Sequence, residues 1–357
     1  MSFPAVFSVG MQGKLYQAHR GHCASLQRSV HLQTYQRAPS LRYGFQFPPS
    51  NLVPSERSNK RFAWIVTRAG GEQTDSQGSH PPEDRRQRLA TYFVDQFIKD
   101  NMTIGFGTGP TVSAIIEETG RHLKDGKLKG IKCLAGSRPS TSECAFQGIE
   151  MVYASDSPRV DVAVEEASQV DLEHDTNPFL TWSGSILENK ASQPQLVTTR
   201  SVLRLASTRV VIADSLEKVK HGRLCGSLPV AVAADEDSDW ESTAEEIDDI
   251  FLGDADLWRR PSDPSEADAC DPRGGEAPYI APDGSTIIDI RFYGPLRLFG
   301  EECEYEEIAK QIESVPGVIT HGLMIGMADH VLVPEAEGEG VITLSSSDKP
   351  QVLDSEG

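Results

Sequence analysis

Met102–Ile116 reads MTIGFGTGPTVSAII, a short apolar run that ends in Gly105-Phe106-Gly107-Thr108-Gly109 and opens onto apolar residues at Val112, Ile115 and Ile116. The run predicts a strand, the glycines a tight turn, and the spacing of the last three residues a helix. A helix N-terminus carries unpaired N–H groups and a partial positive charge. A glycine turn that lets the backbone come close therefore makes a cradle for an anion such as phosphate. Thr108 and Thr111 add hydroxyl donors. The spacing is neither the dinucleotide fingerprint nor a Walker loop, whose lysine is missing. By itself the stretch suits a strand-to-helix turn that binds nothing as well as it suits an anion site.

The neighbouring segments tip that balance. Arg88–Ile98 (RLATYFVDQFI) sets Leu89, Tyr92, Phe93 and Phe97 at helical spacing, which makes a core-facing stripe. A helix is predicted over Thr111–Leu123, then a strand at IKCLA, a polar loop carrying Ser137, Ser140 and Thr141, and a helix from near Thr141. Val160–Val164 is a further strand, ending in Glu165-Glu166, and Arg209–Asp214 (RVVIAD) is another. Strands that alternate with helices predict an α/β fold, a doubly wound and mostly parallel sheet of Rossmann-like kind. Ligands of such sheets collect at the carboxyl ends of strands, where Gly107–Thr111, Ser137–Thr141, Glu165 and Asp214 are all expected.

Composition narrows the function classes. The 357 residues are 38% hydrophobic, enough for a core and a second domain, and the net charge of −19 argues against nucleic acid as a partner. No run approaches the length of a membrane span. The six cysteines (Cys23, Cys133, Cys144, Cys225, Cys270, Cys303) form no CxxC pair, and the nine histidines no HxxxH spacing. Reduced thiols and no metal centre are the expectation.

Residues 1–55 contain no Asp or Glu but carry Lys14, Arg20, Arg28, Arg37 and Arg42 among many Ser, Gln and His residues. Residues 1–69 are read as an organellar transit peptide, cleaved near Val66–Ala69, with the chloroplast stroma as destination and the mitochondrial matrix as the alternative. A disordered basic tail with another role has the same composition. Residues 70–85 have linker composition. The remaining division is an α/β domain over 86–232, a small α+β lid domain over 233–316, and a return to the α/β domain with a C-terminal tail over 317–357. The small domain is expected to hold an amphipathic helix around Trp240, Ile247, Ile250, Phe251 and Leu252, and an acidic, Pro-rich surface insertion near 260–278. A strand at Ser285–Tyr293 and a helix at Tyr305–Val315 follow in it. The return segment is expected to supply strands at Val318–Leu323 and His330–Val333.

Taken together, GFGTGPT, AGSRPST with the following Gly148-Ile149, VVIAD, GSLPVAV, DGSTIIDIRF and VPGVITHGLMIGMADHV resemble the type A ribose-5-phosphate isomerases, from about Leu89 to Leu344. The resemblance implies a cofactor-free and metal-free interconversion of ribose 5-phosphate and ribulose 5-phosphate through an enediolate. Such chemistry needs a carboxylate base, an acid and a positive group to steady the developing charge. It also implies a small sugar phosphate as ligand, held by Thr108, Gly109, Thr111, Ser137, Ser140 and Thr141; the sequence leaves the oligomeric state open, a homodimer or larger assembly included. Pro110 stands where the family has a serine.

The catalytic stretches depart further. Against the family's Asp-Gly-Ala-Asp-Glu the chain has Glu165-Glu166-Ala167-Ser168-Gln169, so Glu165 keeps the acid position. The family's lysine falls on Leu180 and its catalytic base on Asn189, beside Glu188. The lysine that follows Ile-Ala-Asp falls on Glu217, beside Lys218. Glu165, Glu188 and Lys218 are therefore the candidate catalytic residues, each of the last two displaced by one position. Three functions stay open. One is a divergent isomerase that uses these three, and another is a non-catalytic sugar-phosphate binder or structural relative. The third is a different sugar-phosphate or acyl-transfer enzyme on the same sheet.

Overall fold

The computed structural model of the chain describes residues 67–68, 82–156, 158–181, 195–220, 222–234, 239–251, 253–263, 273–274, 277–335 and 340–345. The first half of the chain contributes β1 (Thr67–Arg68), α1 (Pro82–Phe97), β2 (Thr103–Phe106), α2 (Pro110–Lys124), β3 (Lys132–Ala135), α3 (Arg138–Gln147) and β4 (Glu150–Met151). Next come β5 (Val160–Asp171), β6 (Phe179–Thr181), α4 (Leu196–Leu205), β7 (Ala206–Ile212), β8 (Val219–Lys220) and β9 (Cys225–Ala233). The chain continues through α5 (Trp240–Phe251), β10 (Ala255–Arg259), β11 (Ser285–Pro295) and α6 (Tyr305–Ser314). It closes with β12 (Val318–His321), β13 (Leu323–Met324), β14 (His330–Pro334) and β15 (Val341–Ser345).

The main sheet runs β1-β15-β14-β7-β5-β2-β3-β4. From β14 to β4 every pairing is parallel, and β15 and β1 add antiparallel strands at one edge. The chain winds outward from β2 through β3 to β4, then crosses back to place β5 on the other side of β2. The strand order therefore reverses between β2 and β5, and a crevice opens there at the carboxyl ends of the strands.

Helices cover both faces of this sheet, so its strands are apolar on both sides and side-chain parity assigns the face. Ile104, Phe106, Val162, Val164, Val210 and Ile212 point to the face packed by α1, α2 and α3, among Leu89, Phe93, Val112, Ile115 and Ile116. Their neighbours Ala163 and Val211 point to the opposite face, against Val202 and Leu203 of α4. Each large side chain removed from water in these layers contributes roughly 1.5–3 kcal/mol.

A separate antiparallel sheet, β10-β11-β9-β12, carries α5 and α6 on one side. The fold is thus a doubly wound, mostly parallel α/β sheet with a smaller α+β unit, as the alternation of strands and helices predicts. β9 runs up to residue 233 and β12 lies after residue 317, yet both pair in the small sheet. Strand pairing joins segments that are distant in sequence, and a division drawn by composition does not see it.

Several element boundaries differ from expectation for local reasons. α1 starts at Pro82, inside the stretch of linker composition, with Glu83 and Asp84 in its first turn where the helix dipole favours acids. α3 starts at Arg138, because Ser137 caps it by accepting the Ser140 N–H, and it ends at Gly148 in the left-handed conformation. β5 continues through Glu165 and Glu166 to Asp171, so these two glutamates lie inside a strand and not just after one. Its outer half leaves the main sheet to pair with β6 and β8. Most of the acidic insertion, at 264–272 and 275–276, lies outside the described residues, as does the leader apart from Thr67 and Arg68. Cys133 and Cys144 are buried free thiols, and no described helix is long and apolar enough to cross a membrane.

The small sheet holds one buried ion pair: the Arg260 guanidinium donates through Nε to Asp289 Oδ2 at 2.9 Å, and its Nη2 meets Oδ1. Arg260 is 3% and Asp289 0% exposed, so removing Asp289 takes from a desolvated guanidinium the carboxylate it meets through two nitrogens. Asp289→Ala is expected to cost about 3–5 kcal/mol in thermal or denaturant unfolding, most of it recovered when Arg260→Met is added. A loss below about 1 kcal/mol would show the pair to be incidental.

Candidate functional site

The reversal of strand order places the Gly107–Thr111 turn directly beside β5. Phe106 pairs with Val164, and the Gly107 N–H donates to the Val164 carbonyl at 2.8 Å. The next two residues of β5, Glu165 and Glu166, are therefore held against the turn, and parity sends them to opposite faces. Glu166 continues the line of Val162 and Val164 toward α2, and Glu165 the line of Ala163 toward α4.

Both carboxylates are fully buried, and both accept backbone N–H groups of the turn. Glu165 Oε2 accepts the Thr108 N–H at 3.1 Å, and Glu166 Oε2 accepts the Thr111 N–H at 2.7 Å. The glycines make room for them. A Cβ on Gly107 would lie 1.6 Å from Glu165 Oε2, and one on Gly109 would lie 2.3 Å from Glu166 Oε2. Gly109 also has φ 143°, a conformation that L side chains rarely adopt. It precedes α2 without any side-chain cap of its own, and Pro110 has no N–H to offer. Glu166 thus takes, from another strand, the role an N-cap side chain would have.

The second loop adjoins the first. Ser140 Oγ donates to the Gly107 carbonyl, Ser137 Oγ lies 2.9 Å from Ser140 Oγ, and Thr141 Oγ1 donates back to the Ser137 carbonyl at 2.8 Å. These three hydroxyls are spent inside the protein. The Thr108 hydroxyl is buried and has no hydrogen-bond partner, the Thr111 hydroxyl is buried beside Glu166, and the N–H groups of both are taken by the glutamates. The structure therefore brings Thr108, Gly109, Thr111, Ser137, Ser140, Glu165 and Lys218 into one region. Glu188 and Asn189 lie outside the described residues.

Lys218 ends the short helical turn after β7, and its Nζ lies 2.9 Å from Asp214 Oδ1 and 4.0 Å from Glu166 Oε1. It is part of an ion network with two acids. Leu180, at the position the resemblance gives to a lysine, is a fully buried core residue of β6 that pairs with Leu323. Ser168 Oγ donates to the Leu180 carbonyl at 3.3 Å, and Gln169 Oε1 accepts the Cys225 N–H at 2.9 Å, so both side chains tie strands together. Sequence reasoning assigned no role to Glu166. The signal was its place directly after Glu165 in a strand buried on both faces, where parity makes one of two adjacent acids face the helix N-terminus. Elsewhere, His174, Glu304 and Glu306 bring ligand-capable atoms within 4.8 Å of one another at a partly exposed position.

Burial pushes the Glu166 carboxyl up to about 7, Asp214 adding to the rise while Lys218 and the Thr111 N–H oppose it. Burial likewise holds Glu165 well above the ordinary carboxyl value, against the Thr108 N–H and with help from Glu166. Groups raised in this way keep protons that the unfolded chain has already released. Their effect is to lower stability as pH rises from about 4.5 through about 7. The melting temperature is expected to fall between about pH 5 and pH 8, and Glu166→Gln to flatten that fall by several degrees. Parallel pH profiles for the two proteins in scanning calorimetry would contradict this.

A family model for ribose 5-phosphate isomerase A (phosphoriboisomerase A) matches residues 132–338. The chain is 26% identical over 268 residues to the probable chloroplastic ribose-5-phosphate isomerase 3 of Arabidopsis thaliana, covering 73% of this chain and 84% of that one. Among solved structures, the ribose 5-phosphate isomerase of Plasmodium falciparum superposes with a TM-score of 0.59 at 23% identity, over 73% of this chain and 98% of that one. A D-ribose-5-phosphate isomerase in complex with phospho-erythronic acid gives a TM-score of 0.58 at 23% identity, over 74% of this chain and 100% of that one. With more than half of its length matched by the family model, the chain belongs to the ribose 5-phosphate isomerase A family.

Proposed function

We propose that this chain is a ribose 5-phosphate isomerase A relative with a degenerate catalytic site, in which interconversion of ribose 5-phosphate and ribulose 5-phosphate is lost or strongly reduced. The observation that carries this is Leu180, buried in the core where the resemblance sets a lysine. An enediolate needs positive charge placed in advance, and loss of one such stabilising group costs about 10²–10³ in rate. Lys218 does not stand in for it, because it is held by Asp214 and lies near Glu166. Glu165 retains the acid position as a candidate, but its carboxylate is sealed from solvent and turned to the Thr108 N–H. Asn189 at the base position cannot take a proton, and removing a general base costs about 10²–10⁴.

A second reading, binding of a small sugar phosphate without turnover, is favoured by the joined loops at Gly107–Thr111 and Ser137–Thr141. The complex of one related structure with phospho-erythronic acid points to the same ligand class. In a coupled assay of the purified chain with ribose 5-phosphate, turnover is expected at least about a hundredfold below that of an active family member. Glu165→Ala and Glu188→Ala are expected to change the residual rate little. A rate within tenfold of the active enzyme, abolished by Glu188→Gln, would establish a divergent isomerase instead.

We also propose delivery to the chloroplast stroma. The Ser- and Arg-containing leader, free of Asp and Glu through residue 55, supports it, as does the chloroplastic name of the Arabidopsis relative. Residues 1–69 fused to a fluorescent protein are expected to direct it to plastids in plant cells, and mitochondrial or cytosolic fluorescence would refute the proposal.

A further inference from the structure

We infer that Glu166 sets the ligand class of the β2–β5 crevice: its carboxylate stands at the N-terminus of α2 as a built-in anion, so that the cradle refuses phosphate until Glu166 is removed. The inference rests on the reading of this site as a degenerate relative of the isomerase site. A phosphate bound at a helix N-terminus is held by the free N–H groups of the first turn and by the partial positive charge there. In this chain the Thr111 N–H is committed to Glu166 Oε2 at 2.7 Å, and Pro110 has none. The neighbouring Thr108 N–H is committed to Glu165.

Space is committed as well as hydrogen bonds. Glu166 Oε2, Cβ and Cδ all lie within 2.8 Å of the point where a Cβ of Gly109 would be, so the volume over the glycine that a phosphate would approach is filled by the side chain. The Thr108 hydroxyl, 7% exposed and without a partner, remains as a donor for an incoming oxyanion, whereas the Thr111 hydroxyl, 0% exposed, lies beside Glu166. Charge acts in the same direction. An incoming phosphate would meet Glu166 and Asp214, with Lys218 the one described ammonium in contact with this group.

The test uses the full chain and inorganic phosphate. In isothermal calorimetry at about pH 8, the wild-type protein is expected to show no saturable binding up to millimolar phosphate. Glu166→Gly should gain at least about tenfold in affinity, and Glu166→Gln, which keeps the volume but not the charge, should gain less. Equal binding by the wild type and Glu166→Gly, whether tight or absent, would overturn the inference. Should the glycine variant unfold, the Thr111 amide resonance of the wild type decides. It is expected to follow the titration of Glu166 with pH and to ignore added phosphate, and a saturable shift with phosphate would overturn the inference. Isomerase activity in the wild type without saturable phosphate binding would refute the proposed function alone, and saturable phosphate binding without activity would overturn this inference alone.

Discussion

The parallel pairing of β2 with β5 is the constraint from which the site follows. Phe106 opposite Val164, locked by the Gly107 N–H on the Val164 carbonyl, fixes which residues of β5 the glycine turn can meet. Slipping that register by one residue would exchange Glu165 and Glu166 between the two faces of the sheet and put apolar residues against solvent or against buried charge. The apolar layers on both sides, with Phe93 and Ile115 on one face and Val202 on the other, forbid the slip. The geometry of this site is therefore anchored by hydrophobic burial, and where the carboxylates point is decided by side-chain parity.

Two buried glutamates next to one helix N-terminus are costly in isolation and tolerable in place. Desolvation raises both pKa values, and each carboxylate recovers part of the loss by accepting a backbone N–H that would otherwise be orphaned. The exchange also explains why Pro110 and the uncapped Gly109 are accepted at the start of α2. With no side chain of its own to cap the helix, the turn takes its acceptor from β5. The same substitution that stabilises the helix end thus removes the donors a ligand would need, and so stability and binding are set against each other at Thr111.

Much of this was legible in the chain itself. GFGTGPT announced a strand, a turn and a helix, and the alternation up to RVVIAD announced a parallel sheet, because periodicity and glycine placement act over a few residues. The convergence of Gly107–Thr111 with Ser137–Thr141 followed from the general rule for strand ends. The pairing of β9 and β12 in the small sheet did not follow, since both segments are equally apolar whichever sheet they join. Nor did the extension of β5 past Val164, where two charged residues look like the end of a buried strand until helix N–H groups are found to meet them.

Amino-acid order alone thus determined the class of fold, the turn at its centre and the identity of the groups near it. Through the resemblance it set Leu180 and Asn189 against a lysine and a base, a reading that needs only residue identity at a position. Tertiary structure alone decided that Glu166, and not only Glu165, faces the cradle, and that its carboxylate is bonded there. The reason is that a hydrogen bond between residues 55 apart depends on strand order and on the direction of a side chain, neither of which any local pattern encodes.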